Sequence, residues 1–292
     1  MNRPLAIRCI LALVSTSCGG SYPGSLPLAP TPMPIVQNVP DLQLNGSVYD
    51  NVSRPIAGAT VEILDGPQKG VSTTSDASGR FAFAGTFDDT IRFRASKLGH
   101  ATVTRTSVVS VTNCATCSRY VGFLLEVSGT PIDATGAYTM TFVADPTCSL
   151  PDSVRTRTYA ASVSRDSTLN WLFHVSVLNA SALHGYSWEG PTIAVAGTFV
   201  SMGVGNAHGS PGLVEQVTAD TSVGFDGTAG ADVTTPRLIT MSAPFEGTIE
   251  ACQLPPDSAS PVASGTYICR PEHRIQCSSS NHRFTIKSRG FE

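Results

Sequence analysis

The chain has 292 residues, of which 41% are hydrophobic and only 14% charged, and its 19 basic and 22 acidic residues give a formal net charge of −3. This length has room for about two domains, and the 26 glycines and 20 prolines suit many short strands joined by tight turns. The charge excludes the positive field that attracts nucleic acid, and no apolar run after the N-terminus is long enough for a membrane-spanning helix.

Residues 1–18 are typical of a bacterial lipoprotein signal. Arg3 and Arg8 precede a short apolar run, and small residues lead up to Cys18. The pattern predicts that Cys18 becomes the lipidated first residue of the mature chain. Ser15 stands where such signals usually have Leu, so secretion with cleavage nearby is the alternative.

Residues 19–40 are predicted to be a linker that holds the folded part of the chain away from a membrane. A segment so rich in proline stays extended and semi-rigid. Its prolines are Pro23, Pro27, Pro30, Pro32, Pro34 and Pro40.

Residues 41–127 are predicted to form the first domain, with about seven short strands. Ile91, Phe93 and Ala95 alternate with Arg92 and Arg94, which is the period of a half-buried strand. So many strands in so short a segment favour a β-sandwich.

Three motifs in this segment carry turn chemistry. Residues 46–50 read GSVYD, residues 55–61 read PIAGATV, and residues 76–81 read DASGRF. Asp76 can bond the backbone two residues on, and Gly79 can adopt a positive φ. In this order the motifs resemble those of the carboxypeptidase regulatory-like domain. That resemblance implies a transthyretin-like sandwich, which is grouped with carbohydrate-binding-like folds, and covers less than a third of the chain.

Residues 128–135 are predicted to be a short linker, and residues 136–292 a second all-β domain. Near the C-terminus Ile239, Met241, Ala243 and Phe245 share one face of a strand, where Pro244 predicts an edge position or a bulge. Eight or nine antiparallel strands are expected, without a helix longer than about ten residues. We expect an antiparallel barrel or a curled sandwich, since a single open sheet would leave an apolar face and two bare edges.

Six cysteines follow Cys18, an even number that suits an exported disulfide framework. Six cysteines allow about fifteen pairings. Among these we favour Cys114 with Cys117, Cys252 with Cys269, and Cys148 with Cys277. The Cys114–Cys117 spacing also occurs in redox pairs, but a strand is expected to follow it where a redox thiolate needs a helix N-terminus.

The motifs of the common enzyme classes are absent. The first class to test is a zinc peptidase, because the regulatory-like domain is best known beside zinc carboxypeptidases. Neither of the zinc-binding motifs H-x-x-E and H-E-x-x-H occurs in the sequence. We therefore expect no catalytic residue, metal or cofactor. The alternative is a hydrolase or metal-dependent enzyme whose site is assembled from barrel loops around His174, His184, Glu189 and His282.

Four residues are candidates for a ligand platform at a barrel mouth, where aromatic faces stack on sugars or on other planar or apolar ligands. They are Tyr159, His184, Tyr186 and Trp188. Trp188 is the strongest, because the glycines and the proline around it place it near a turn. Trp171 is expected to be a core residue on its strand.

The sequence thus predicts an exported, non-catalytic binding or structural protein of a bacterial cell envelope, anchored by lipid alone. A glycan or a small apolar ligand is its candidate partner, and carbohydrate is the ligand suggested for the regulatory-like domain. Composition and pattern predict the sheets from the residues themselves, whereas this function rests on analogy between folds.

Overall fold

The structure is a computed structural model that describes residues 42–109, 119–178, 191–205, 212–253 and 269–290. These residues belong to one compact unit, Pro40–Glu292. The unit is built almost wholly of strands, as predicted. Its helical elements among the described residues are α1, Asp152–Arg155, and a 3₁₀ turn, Pro271–His273. No described helix is long and apolar enough to cross a membrane.

The N-terminal part is a sandwich of two small sheets. One sheet has the strand order β4-β1-β7 and the other β3-β2-β5-β6. The strands are β1 Leu42–Asp50, β2 Thr60–Ile63, β3 Ser72–Thr74, β4 Arg80–Gly85, β5 Thr90–Ser96, β6 Val103–Val108 and β7 Arg119–Leu125. The predicted β-sandwich is confirmed.

The sandwich core follows the predicted alternation. Phe93, Phe83 and Phe123 are buried between the sheets, while Arg92 and Arg94 face outward. One strand pairing is parallel, that of β7 with β1, whereas the other strand pairings of the sandwich are antiparallel. Antiparallel and parallel neighbours cannot be told apart from alternation alone, since both have a period of two residues.

The C-terminal part is a closed barrel. Its strands are β8 Gly136–Val143, β9 Thr156–Arg165, β10 Leu172–Val177, β11 Thr192–Ala196, β12 Phe199–Val204, β13 Leu213–Gln216, β14 Thr221–Asp232, β15 Thr240–Gln253 and β16 Arg274–Ser288. Strands β8 to β12 pair in chain order, β14 to β16 continue the order, and β16 pairs back with β8.

A second pairing of β14 closes this ring of eight strands. The first half of β14 pairs with β13, through Leu213 and Phe225, and its second half pairs with β12, through Val204 and Gly227. Strands β12 and β13 therefore occupy one position in the ring, interrupted by residues 205–212. Of the two predicted architectures, the structure has the barrel, which removes the open edges of a sheet.

A glycine pair marks the point where β14 changes partner. Gly227 lies opposite Gly247 on β15, beside a β-bulge between Phe245 and Gly247. A Cβ on Gly247 would lie 2.1 Å from the carbonyl oxygen of Asp226, so the two strands approach too closely for a side chain. Pro244 lies just before the bulge, beyond the last β14–β15 pair at Ala229 and Phe245. Its missing N–H therefore costs no hydrogen bond on that side.

The barrel interior is filled by the predicted inward faces. Tyr138, Met140, Phe142 and Phe173 are almost fully buried in one core. Ile239 differs from the expectation, because it precedes β15 and remains 41% exposed. The alternation begins at Met241, once the chain has joined the sheet.

The connections between the barrel strands form two sets, one at each end of the barrel. At the end that faces the sandwich, the strands are joined by residues 166–171, 197–198 and 233–239. At the opposite end they are joined by residues 144–155, 178–191, 217–220 and 254–273. Strands β1 and β7 of the sandwich both run toward the barrel, so the chain enters the sandwich at its far end.

Candidate functional site

The barrel interior is the first place to look for a ligand, since eight-stranded barrels either pack solid or hold one small molecule. Here the rings pack on one another. Phe142 lies 4.6 Å from Phe225 and 4.9 Å from Phe284 between ring centroids, and Phe245 meets it edge-on at 5.4 Å. The described interior is a packed core.

Tyr159, predicted to lie at an accessible platform, lies within this core with 1% of its surface exposed. It is an inward-facing residue of β9, and its hydroxyl donates a hydrogen bond of 2.7 Å to Glu215 Oε2. The prediction that it faces a ligand at a barrel mouth is therefore wrong in its placement. The alternation of β9 explains the placement of Tyr159, because Tyr159 lies on the inward face of the strand together with Ala161 and Val163.

A partly buried ion pair accompanies Tyr159 at the barrel end away from the sandwich. Arg157 donates from Nε to Glu215 Oε2 at 2.8 Å and from its second terminal nitrogen to Oε1. Burial, followed by the hydrogen bond to Glu215, raises the pKa of Tyr159, while Glu215 raises that of Arg157. Tyr159 and Arg157 therefore stay protonated, as their hydrogen bonds to Glu215 require. The cluster thus joins β13 to β9 across the barrel, and its polar groups are engaged by one another.

The other platform candidates, His184, Tyr186 and Trp188, lie outside the described residues. The same holds for Glu189, for Cys18 and for the Cys114–Cys117 pair. These predictions stay predictions.

Two disulfides lie within the described residues, and they are two of the three pairs favoured from the sequence. Cys148 is bonded to Cys277 and Cys252 to Cys269, each with 5.8 Å between the Cα atoms. The first spans 129 residues and ties the connection after β8 to β16, whereas the second spans 17. Such bonds are consistent with an exported protein.

His282 lies against the Cys148–Cys277 disulfide and is fully buried. Its Nδ1 accepts a 2.9 Å hydrogen bond from the backbone N–H of Asp145, and its Nε2 lies 3.3 Å from the Cys277 carbonyl. This geometry fits a neutral ring protonated on Nε2. Burial lowers the pKa of His282, which agrees with the neutral form.

Cys148, Cys277 and His282 also form the one candidate metal cluster among the described residues, with ligand atoms within 4.8 Å of one another. The two sulfurs are joined to each other, and both ring nitrogens have backbone partners. A metal would need thiolates and a free ring nitrogen. The bonded arrangement supplies neither.

The histidines of the hydrolase alternative do not converge within the described residues. His174 faces outward on β10, where Nε2 lies 2.8 Å from Asp166 Oδ2. His282 is buried on β16, and strands β9 and β8 separate the two. A site around both side chains would have to cross the barrel wall.

The junction between sandwich and barrel is a polar contact. Asn51 is buried there, donates from Nδ2 to the carbonyl of Val195 in β11, and accepts at Oδ1 from the N–H of Val127 at 3.3 Å. Trp171 is half-buried, and its Nε1 donates to Glu126 Oε1 at 3.1 Å. It is thus a junction residue where the sequence suggested the core.

A cation–π contact also joins the sandwich to the barrel. The Arg54 guanidinium lies 4.3 Å from the Phe199 ring centroid and is paired with Asp50 at 2.8 Å. A cavity of about 50 Å³ beside Trp171 is far smaller than the roughly 300–1,000 Å³ of small-molecule sites. The junction therefore fixes two bodies and is too small to be a ligand pocket.

The first and third sandwich motifs, residues 46–50 and 76–81, have structural roles. Asp50 Oδ1 accepts from the N–H groups of Val52 and Arg54, and Asp76 Oδ1 accepts from Ser78 and Arg80, at 2.8–3.0 Å. Gly79 has a φ of 73°. A Cβ on Gly46 would lie 2.3 Å from the Val121 carbonyl oxygen. Their side chains shape turns and allow strands to approach.

Residues 43–116 match the model of the carboxypeptidase regulatory-like domain. The resemblance read from the motifs is confirmed. The regulatory-like domain covers about a quarter of the chain, and no curated protein shows significant similarity to the whole.

Among solved structures, the chain is similar to the major pilin subunit of Bacillus cereus, at 10% identity and a TM-score of 0.27, over 84% of this chain and 87% of that one. A TM-score of this size does not establish a common fold.

Sequence reasoning missed Asn51 and Glu215, the two buried polar residues on which the junction and the barrel mouth depend. Asn51 follows the Asp of the first motif and reads as a turn residue. Glu215 stands in a short apolar run, and an acidic residue there was the available signal, since buried carboxylates need partners.

Proposed function

We propose that the chain is a non-catalytic module of the bacterial cell envelope, in which the regulatory-like domain acts as a rigid spacer that carries the barrel. The observation that carries this proposal is the junction at Asn51. One buried amide bonds backbone groups of both bodies, so neither can turn without breaking those bonds.

The direction of the strands supports the spacer role. The chain enters the sandwich at the end of β1 remote from the barrel, and β1 has nine residues. A strand of this length spans roughly 30 Å. Strand β1 thus carries the chain along the length of the sandwich before it reaches the barrel.

The packed barrel supports a structural role for the second domain. Its described interior is filled by rings, and its ion pair and its histidine are engaged by neighbouring groups. The hydrolase or metal-dependent alternative needs a site built from residues outside the described part. That alternative would be favoured if the purified chain showed hydrolytic activity and a chelator abolished this activity.

The spacer proposal is tested by NMR relaxation on the intact chain. We expect amides of the regulatory-like domain and of the barrel to report one common rotational correlation time. In Asn51→Ala the two groups of amides should separate, since the bonds to Val195 and Val127 are lost.

Gln43→Ala is the matched control, because Gln43 lies at an exposed position on β1, the strand that precedes Asn51, and away from the junction. It should leave the common correlation time unchanged. Two distinct correlation times in the unaltered chain would overturn the spacer proposal.

A further inference from the structure

The outer face of sheet β4-β1-β7 carries an exposed tyrosine on a flat floor of small residues. Tyr120 is 62% exposed, and its hydroxyl is hydrogen-bonded to Ser47, which is only 2% exposed. Its Cε1 lies 3.7 Å from where a Cβ on Gly122 would stand. The ring therefore leans along the sheet over Gly122 and Ser47, with the other ring face open to solvent.

Two arginines lie at the sides of this face, Arg80 on β4 of the same sheet and Arg105 on the adjoining edge strand of the other sheet. Arg80 on β4 pairs with Ser47 on β1, and Ser47 pairs with Gly122 on β7. Arg105, on the neighbouring edge strand β6, donates from its guanidinium to the Gly122 carbonyl at 2.6 Å. Strands lie about 4.8 Å apart, so the backbones of Arg80 and Gly122 are roughly 10 Å apart.

The charge of this face is opposite to that of the chain. Arg80 and Arg105 form no ion pair within the described part of the structure, whereas Arg92 and Arg94 of the other sheet are paired with Asp65 and Glu62. None of the outward-facing described residues of the three strands is acidic. They are Gln43, Asn45, Ser47, Tyr49, Arg80, Ala82, Ala84, Tyr120, Gly122 and Leu124.

The nearby Asp76 does not neutralise Arg80 through an ion pair. Its Oδ1 is engaged by the backbone N–H groups of Ser78 and Arg80 in the turn. The face thus offers one open aromatic surface, with Arg80 on the strand at one side and the Arg105 guanidinium at the other, in a chain with a net charge of −3.

We propose that this face, the Tyr120 face, binds an acidic polysaccharide. The apolar face of a sugar ring stacks on Tyr120, and carboxylate or sulfate groups of neighbouring sugars pair with Arg80 and Arg105. Guanidinium groups bind such anions through two parallel hydrogen bonds. Asn45 and Gln43 supply uncharged hydrogen-bonding groups beside the ring.

The same features disfavour other partners. The large apolar residues exposed on the face are Tyr120 and Leu124. Their apolar surface is far smaller than the contact area of about 800 Å² per partner in a stable protein interface. Each basic residue contributes about 1 kcal/mol to the binding of an anionic membrane, so two arginines would bind such a membrane weakly.

The test is calorimetric titration of the intact chain with two acidic polymers, polygalacturonate and dextran sulfate, and with their uncharged counterparts, methyl-esterified polygalacturonate and dextran. We expect binding of at least one acidic polymer, at least about tenfold tighter than that of its counterpart, and weakened by salt.

Variants locate the site. Tyr120→Ala and the double variant Arg80→Gln with Arg105→Gln should each weaken binding at least about tenfold. Arg94→Gln, on the outer face of the opposite sheet, should change it less than about twofold. Tyr120→Phe keeps the ring, so it should bind more tightly than Tyr120→Ala.

Four outcomes overturn the proposal: no binding of either acidic polymer, equal binding of the charged and uncharged forms, equal losses in Arg94→Gln and the double variant, or binding only to vesicles of anionic phospholipid. Circular dichroism of each variant shows whether the fold is kept. These results are independent of the junction, so the spacer proposal can fail while this one stands.

Discussion

The regulatory-like domain and the barrel are both β structures, but the motif carboxylates of the first bond groups close along the chain, whereas Glu215 and His282 of the second bond groups far along it. In the sandwich, Asp50 and Asp76 each bond amides up to four residues away. In the barrel, Glu215 bonds a tyrosine 56 residues away, and His282 bonds an amide 137 residues away. Local hydrogen bonds leave short motifs in a sequence, and long-range ones do not. This explains why one half is recognisable and the other is not.

Removal of the long disulfide should have the largest effect and should fall on the barrel alone. Cys148→Ala with Cys277→Ala opens a loop of 129 residues, which costs about 4–5 kcal/mol on the chain-entropy model. Cys252→Ala with Cys269→Ala opens a loop of 17 residues and should cost about 3 kcal/mol. Denaturant unfolding measures both.

Hydrogen exchange read by mass spectrometry shows where protection is lost. Loss confined to barrel peptides is expected in both double variants. Equal costs for the two disulfides, or loss of protection in the sandwich, would contradict the separation of the two halves.

The next effect compares close strand approaches in the two halves. Gly46→Ala places a Cβ 2.3 Å from the Val121 carbonyl oxygen, and Gly247→Ala places one 2.1 Å from that of Asp226. Backbone atoms cannot move aside as a side chain can, so each substitution should cost about 2–4 kcal/mol. Thermal unfolding measures the loss.

Two other glycines are matched controls. A Cβ on Gly122 would have its nearest atom at 3.7 Å and one on Gly203 at 3.5 Å, both from side chains. Their alanine variants should cost less than about 1 kcal/mol. If Gly46→Ala were as mild as Gly122→Ala, the motif glycine would have no packing role.

The smallest effect is a pH dependence that belongs to the barrel. Burial holds the pKa of His282 below its usual value, so the unfolded chain binds this proton more readily. The stability that the neutral ring contributes is complete above about pH 6.5 and falls at lower pH, by at most about 1.4 kcal/mol per pH unit. Asp145, whose pKa the Ser279 hydrogen bond helps lower to about 2, acts only below about pH 4.

Unfolding free energies between pH 7.5 and pH 5 test this in the intact chain. His282→Gln should flatten the slope, and His273→Gln, a partly exposed position in the 3₁₀ turn, should keep it. An unchanged slope in His282→Gln would show that another group carries the pH dependence.

Much of the fold could be predicted, because alternation reports which side of a strand is buried. Phe93 and Phe142 lie in the cores where their patterns placed them. The pairs Cys148–Cys277 and Cys252–Cys269 were also predicted, although connectivity is not determined by sequence. Tyr159 was misplaced, because an aromatic residue near a strand end can face either the core or solvent, and only the parity of β9 decides.

The sequence by itself determined the turns, the alternation and the regulatory-like domain, because these depend on residues close together along the chain. Only the tertiary structure decided that β7 runs parallel to β1, that β14 closes a barrel through two partners, and that Asn51 joins the two bodies. Those features depend on which distant strands meet, and period-two patterning is the same for every choice of neighbour. The row of Arg80, Ser47 and Gly122 likewise exists only once three separate strands lie side by side.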